Sequence, residues 1–265
     1  MKIFFLLLFT FSVGLCNGQD YFKEATNEYF HGDLSKSVTL FTKSIEHNQE
    51  LAKSFMYRGA AKSFLKMFDE ALDDLETSRK HDSLNAKLYF YFGKLYLFKG
   101  DYNRSIHYYN ISIAKNRQDA ASYDERGQAK LMLNDFSGAV KDVTAAISID
   151  STDEDFYVVR GYAKLQLTQY REAIDDFNHS LKILPNQKAY ADRGLAYYLM
   201  KEYEKAIEDF DSSLSISPND GEVYYYKGMC FKGLSNLARA CANFRISKNF
   251  GYEKSATELE QIKCN

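Results

Sequence analysis

From residue 19 to residue 252 the apolar positions follow two rulers at once. Over short stretches they return at helical spacing, the pattern that lays an apolar stripe along an α-helix. Over long distances the whole pattern repeats. The segment YFYFGKLYLFKGDY, residues 89–102, shows the short ruler: seven aromatics surround two glycines. It lacks the strict alternation of a half-buried strand, so it reads as a helix with a small packing slot at Gly93 and a turn at Gly100, where a left-handed residue costs glycine little. The long ruler is set by Arg58-Gly59, Phe92-Gly93, Arg126-Gly127, Arg160-Gly161, Arg193-Gly194 and Lys227-Gly228. Their glycines are 34, 34, 34, 33 and 34 residues apart, and one further step back lands on Ala25.

Other slots keep the same register. Four residues before each glycine stands an aromatic: Tyr21, Phe55, Tyr89, Tyr123, Tyr157, Tyr190 and Tyr224. Twelve after it stands a small residue, from Ser37 and Ala71 to Ala206 and Ala240. About sixteen after it comes a bulky one, such as Phe177, Phe210 and Phe244. Nineteen after it is small again, as at Ser44, Ser112 and Ser247. Small residues let helix backbones approach, and large ones fill the space between neighbours. The period and these residues resemble the tetratricopeptide repeat, a 34-residue helix–turn–helix unit. The resemblance covers residues 18–252. It departs from the family pattern in having no tryptophan and in carrying prolines, Pro185 and Pro218, in only two units.

That resemblance implies an all-α, right-handed α-solenoid of about seven units, near 19–51, 52–85, 86–119, 120–153, 154–186, 187–220 and 221–252. One unit cannot bury its apolar face alone, whereas stacked units bury a continuous core. Residues 253–265 read as a capping helix with Ala256, Leu259 and Ile262 turned inward.

Composition adds little to the fold but bounds the function. The chain is 45% hydrophobic and 26% charged with a formal charge of −2, so no basic excess points to nucleic acid. The first 18 residues, with Lys2, an apolar run from Ile3 to Val13, and small residues at Cys16 and Gly18, read as a secretory signal peptide cut after Gly18. Lipid modification at Cys16 and a plain N-terminal anchor are the rival readings. The run is too short to span a bilayer of about 30 Å as a stable helix. The expected location is therefore periplasmic or secreted.

Export would leave Cys230, Cys241 and Cys264 in an oxidising compartment. Cys241 falls on the second helix of the last unit and Cys264 near the end of the cap. The closing segment resembles that of exported bacterial proteins of this type, which also carry cysteines at both ends. The resemblance and these positions imply a Cys241–Cys264 disulfide that staples the cap, with Cys230 as a buried thiol. No histidine pairs with these cysteines at metal-ligand spacing, and no cofactor is expected. His31, His47, His81, His107 and His179 fall in separate units, the second and third near helix ends where positive charge suits the dipole. Phosphate-loop, HExxH and nucleophile-elbow motifs are absent from the sequence, so an enzyme is not expected. Sequons stand at Asn103, Asn110 and Asn178.

A second regularity couples the two helices of a unit. Arg58, Arg126, Arg160 and Arg193 are each followed sixteen residues later by Asp74, Asp142, Asp176 and Asp209. Units without the arginine lack the aspartate: Glu24/Leu40, Phe92/Tyr108 and Lys227/Asn243. Ion pairs that fix register, within a unit or across the next interface, are one reading; shared ancestry of duplicated units is the other. As exposed pairs they would contribute only about 0–1 kcal/mol each.

In arrays of this family the first helix of each unit lines a curved trough. Residues three before and one and four after each glycine should face it. The candidates for binding a peptide there are Phe22, Tyr57, Phe90, Tyr91, Lys94, Tyr162, Tyr198 and Tyr225. The early units offer aromatics with lysines, and the later ones add the acids Asp124, Glu125, Asp155, Asp192 and Glu222. About half of the apolar candidates are expected in the core. In the chaperone-tail-binding subset of the family, asparagine and lysine clamp a carboxylate; Tyr57, Tyr91, Glu125 and Asp192 occupy the asparagine positions here, which argues against that mode. The expected role is a scaffold or adaptor holding a protein or peptide partner in the trough. A structural spacer using the convex face or the ends, and an accessory or inhibitor docked to an enzyme, are the alternatives.

Overall fold

The computed structural model describes residues 19–264, so the expected signal peptide, with Cys16, lies outside the described residues. Two compact units divide at Asp82/Ser83. The first holds α1 (Tyr21–His31), α2 (Leu34–Glu46), α3 (Leu51–Phe64) and α4 (Phe68–His81). The second holds α5 (Ala86–Phe98), α6 (Tyr102–Lys115), α7 (Ala120–Met132), α8 (Phe136–Ile149), α9 (Glu154–Gln166), α10 (Tyr170–Ile183), α11 (Gln187–Leu199), α12 (Tyr203–Ile216), α13 (Gly221–Gly233), α14 (Leu237–Asn249) and α15 (Lys254–Gln261). Every described element is an α-helix. Within each unit consecutive helices pack as pairs, and each pair packs on the next, the arrangement of an all-α solenoid.

The turn between α5 and α6 shows why Gly100 is followed by an aspartate, Asp101. The Gly100 N–H donates to the Leu97 carbonyl and the Asp101 N–H to the Tyr96 carbonyl, with φ of Gly100 at +75°, which closes α5 as a Schellman motif. Asp101 then caps α6 by accepting from the Arg104 N–H at 3.0 Å. The same turn recurs with Lys66, Asn134, Thr168, Lys201 and Ser235 at φ near +60°, so most pairs accept the left-handed residue without a glycine.

The helical glycines are contact points between the two helices of a pair. A Cβ on Gly161 would lie 2.7 Å from the Phe177 ring, and one on Gly93 would lie 2.5 Å from that of Tyr109. The bulky partner is the residue sixteen positions on, in α2 as Phe41 opposite Ala25 and in α14 as Phe244 opposite Gly228. The small residues twelve after the glycine are fully buried. Those nineteen after it are mostly serines that tie the second helix to the first turn of the first: Ser78 donates to the Ala52 carbonyl, Ser112 to Ala86 and Ser247 to Gly221. The sequon serines Ser105, Ser112 and Ser180 are among these buried slots.

All four Arg–Asp pairs form, and they are not the exposed pairs that the sequence suggested. Asp74, Asp142, Asp176 and Asp209 are buried, and each accepts from Nε and Nη2 of its arginine at 2.5–3.0 Å. Lys62, Lys130 and Lys164 add a second cation to the first three aspartates. Nη1 of each arginine reaches the preceding pair at Thr42, Asn110, Thr144 or Asn178. Each guanidinium also lies over the aromatic three residues before it, 5.3–5.7 Å from the ring centre. The network therefore binds within a pair and across an interface, which favours the structural reading over mere shared ancestry. In the α5–α6 pair the same three slots hold Phe92, Tyr96 and Tyr108, whose rings stack at 4.8 and 5.4 Å.

The expected cap contains one helix, α15, at Lys254–Gln261. Leu259 and Ile262 pack on Phe231, Ala240 and Phe244, Glu258 pairs with Lys232, and Cys241 and Cys264 are bonded with Cα atoms 5.6 Å apart. Cys230 is a buried free thiol, pushed up to about 12 by burial. His47 and His81 close α2 and α4; one ring contacts the Lys43 carbonyl and the other stacks on Phe55.

Candidate functional site

The first helices of the second unit carry a largely apolar recess. A cavity of about 650 Å³ opens between α5, α7 and α9. Leu97, Phe98, Leu131, Met132, Val159 and Tyr162 give it an apolar floor, Tyr102 and Phe136 from the starts of α6 and α8 close one edge, and Gln128, Gln166 and Lys188 add polar groups. Met132 is 57% exposed and Phe98 41% at this cavity. A second recess of about 360 Å³ adjoins it, sharing Gln128, Val159 and Lys188. Its lining is acidic: Asp124 and Glu125 from α7, Asp153 at the cap of α9, and Asp155.

Burial sets the electrostatics of the acidic recess. Asp124 is only 6% exposed, and its carboxyl is pushed up to about 7 by desolvation and by the neighbouring Glu125, Asp153 and Asp155, against one stabilising hydrogen bond from Gln128 at 2.6 Å. Its other oxygen has no hydrogen-bond partner. Asp192 on α11 is raised to about 6, again chiefly by burial, with Lys188 opposing the shift.

The eight residues singled out by sequence are divided between the two compact units and differ in their surroundings. Phe22 and Tyr57 belong to the first unit, where both pack on Phe41, Tyr57 in a stack at 5.8 Å; Phe22 also edges a shallow recess with Gln49, Glu50 and Lys53. In the second unit Phe90 meets Tyr109 at 5.8 Å, and Tyr91 is buried at 5% exposure, so it serves the packing and offers a partner little area. The Lys94 ammonium is held by Glu125 at 2.5 Å, which removes the positive character expected of this part of the face. Tyr198 and Tyr225 both contact Tyr226 near the C-terminal pairs, and burial pushes the Tyr198 hydroxyl up to about 12. Of the eight, only Tyr162 lines the larger cavity.

Phe98, Met132, Tyr102 and Phe136 were missed. Their signal was present. Phe30, Phe64, Phe98, Met132 and Leu199 all stand five residues after the glycine or, in the first pair, after Ala25, and Leu34, Phe68, Tyr102, Phe136, Tyr170, Tyr203 and Leu237 stand nine after it. These are the last turn of the first helix and the first residue of the second, where a loop boundary hides the helical spacing.

Two stretches match the family described as "Tetratricopeptide repeat", residues 154–187 and 188–220. No curated protein matches the chain in sequence. Among solved structures, the chain is similar to a tetratricopeptide repeat protein from Parabacteroides merdae, with a TM-score of 0.65 and 18% identity over 94% of this chain and 100% of that one. It is similar to a chain of the APC/C hetero-tetramer Cut9–Hcn1, with a TM-score of 0.74 and 16% identity over 90% of this chain and 48% of that one. It is also similar to YrrB, described as a TPR protein with an unusual peptide-binding site, with a TM-score of 0.59 and 14% identity over 71% of this chain and 97% of that one. At these identities the likeness establishes the fold.

Proposed function

We propose that this chain, which is a tetratricopeptide-repeat protein, is a non-catalytic scaffold that holds a segment of another protein against the first helices of its second unit. Proteins built of these repeats are typically interaction scaffolds rather than catalysts, and YrrB offers a relative in fold that carries a peptide-binding site. The observation that carries the reading is the apolar cavity between α5, α7 and α9, with Met132 and Phe98 left exposed at its rim. Side chains of that kind are removed from water when a partner docks. The C-terminal end is a poorer docking surface, because α15 already covers the apolar cluster of α13 and α14. The signal-like first 18 residues support export, and the setting proposed is a bacterial periplasm or envelope.

The test is an affinity capture with the purified protein as bait, beside a bait carrying Phe98→Glu and Met132→Glu. Both positions are exposed enough to take a charge without unfolding. A partner held by the first bait and lost by the second supports the groove. A partner held by both moves the interface to the convex face or the ends and favours a structural spacer.

A further inference from the structure

Asp124 is out of place in its own repeat. Its slot, three residues before the glycine, holds Phe22, Met56, Phe90, Val158, Ala191 and Tyr225 in the other repeats. A buried carboxylate there does nothing for stacking that an apolar residue would not do better, and it carries a desolvation cost. The structural aspartates of the array show the contrast: each of those is gripped by an arginine through two hydrogen bonds. Asp124 has one donor, Gln128, and one oxygen with none.

Its surroundings deepen the deficit of positive charge. Four of the residues lining the acidic recess are acids, and one, Lys188, is basic. Glu125 is engaged by Lys94 and the Tyr109 hydroxyl. Asp153 caps α9 through the Asp155 N–H. Lys188 is shared, since it also acts on the buried Asp192. A partially buried recess with excess acid and an unanswered oxygen favours a cation with hydrogens to donate. The adjoining 650 Å³ cavity is largely apolar, so a small free amine would leave most of the groove empty.

Building on the scaffold reading above, we infer that the groove selects protein segments presenting a lysine or arginine beside an apolar residue. The cation enters the recess at Asp124, and the apolar neighbour lies over Leu131 and Met132. Charge complementarity fixes the direction of the segment, and the apolar cavity supplies area. The raised proton affinity of Asp124 fits this assignment, because an arriving cation stabilises the ionised form that burial opposes.

The experiment is a selection from a phage-displayed random dodecapeptide library on the purified protein at pH 8. Selected sequences are resynthesised with a fluorescent label and measured by anisotropy. Enrichment of Lys or Arg next to Leu, Ile, Phe or Met is expected. Replacing the basic residue with norleucine should weaken binding about tenfold, of the order of a charge-assisted hydrogen bond. Asp124→Asn should weaken the parent peptide by a similar factor and the norleucine peptide hardly at all. Selected peptides without basic enrichment, or with binding indifferent to Asp124→Asn, overturn the inference. If Met132→Glu still abolishes their binding, the scaffold reading stands alone. Peptides indifferent to both substitutions, or no selected peptides, overturn both. Thermal melts of Asp124→Asn separate lost binding from lost fold.

Discussion

The three-residue network of α9 and α10 can be exchanged for the aromatic set that the α5–α6 pair already uses. Asp176 is 3% exposed and is held by Arg160 and Lys164. Asp176→Ala leaves two cations with side chains only 17–18% exposed and no carboxylate between them. Removing one partner of such a buried set costs about 3 kcal/mol. Phe92, Tyr96 and Tyr108 sit at the same offsets from Gly93 as Arg160, Lys164 and Asp176 do from Gly161. There they form a stack instead of an ion network, with the Phe92 and Tyr108 rings 4.8 Å apart. A triple variant, Arg160→Phe, Lys164→Tyr and Asp176→Tyr, removes all three charges together and so avoids the stranded-charge penalty. Replacing a buried ion network by packed apolar groups is commonly neutral or stabilising. The triple variant should therefore unfold within about 1 kcal/mol of the parent, or be more stable, while Asp176→Ala loses about 3 kcal/mol. In this size range that loss corresponds to a fall of roughly 6–12 °C in Tm. Urea denaturation followed by far-UV circular dichroism compares the three proteins. A triple variant as unstable as Asp176→Ala would refute the equivalence of the two networks; an Asp176→Ala protein within 1 kcal/mol of the parent would show that the buried carboxylate matters little.

Other perturbations test separate parts of the structure. Asp124 holds its proton up to about pH 7 in the folded chain but releases it near 3.8 when unfolded, so the folded state binds more protons between those values and stability falls as pH rises through that window. Asp124→Asn should thus stabilise the protein at pH 8, by at most about 4 kcal/mol for a three-unit shift, and change little at pH 4; Tm measured across pH checks the divergence. Gly161→Ala places a methyl 2.7 Å from the buried Phe177 ring and should cost about 2 kcal/mol in the same urea assay. Gly100→Ala meets no neighbour within 4 Å and strains only the backbone at φ +75°, so a loss of about 1 kcal/mol is expected. Reducing Cys241–Cys264 opens a loop with a sequence separation of 23, worth about 3 kcal/mol on chain entropy, and should speed hydrogen exchange in α15 before any other helix.

The stack was legible in the sequence because what builds it is periodic. Gly161 and Phe177, Ser112 and the Ala86 carbonyl, and Arg160 and Asp176 recur at fixed offsets, and one glance along the register finds them all. Local turn chemistry was legible where glycine marked it, at Gly100, and obscure where Thr168 or Lys201 adopts the same left-handed backbone. The depth of the inner-face residues was harder to read. Tyr91 and Phe98 lie on one helix with similar character, yet the first is buried and the second exposed, because what covers each depends on the neighbouring helices. Lys94 read as an open positive charge because its partner, Glu125, comes 31 residues later and at a different offset from its own glycine. In a repeat array, however, failure of periodicity is itself a signal. Positions that serve stacking face the same demand in every unit, and each is met in full, by an ion network at Arg160, Lys164 and Asp176 or by stacked rings at Phe92, Tyr96 and Tyr108. A position that departs from its slot at an energetic cost, as Asp124 does with a buried and half-satisfied carboxylate among apolar counterparts, answers a demand that stacking does not make. The recess at Asp124 shares Gln128, Val159 and Lys188 with the cavity rimmed by Phe98 and Met132, which is why the groove proposed above takes in both.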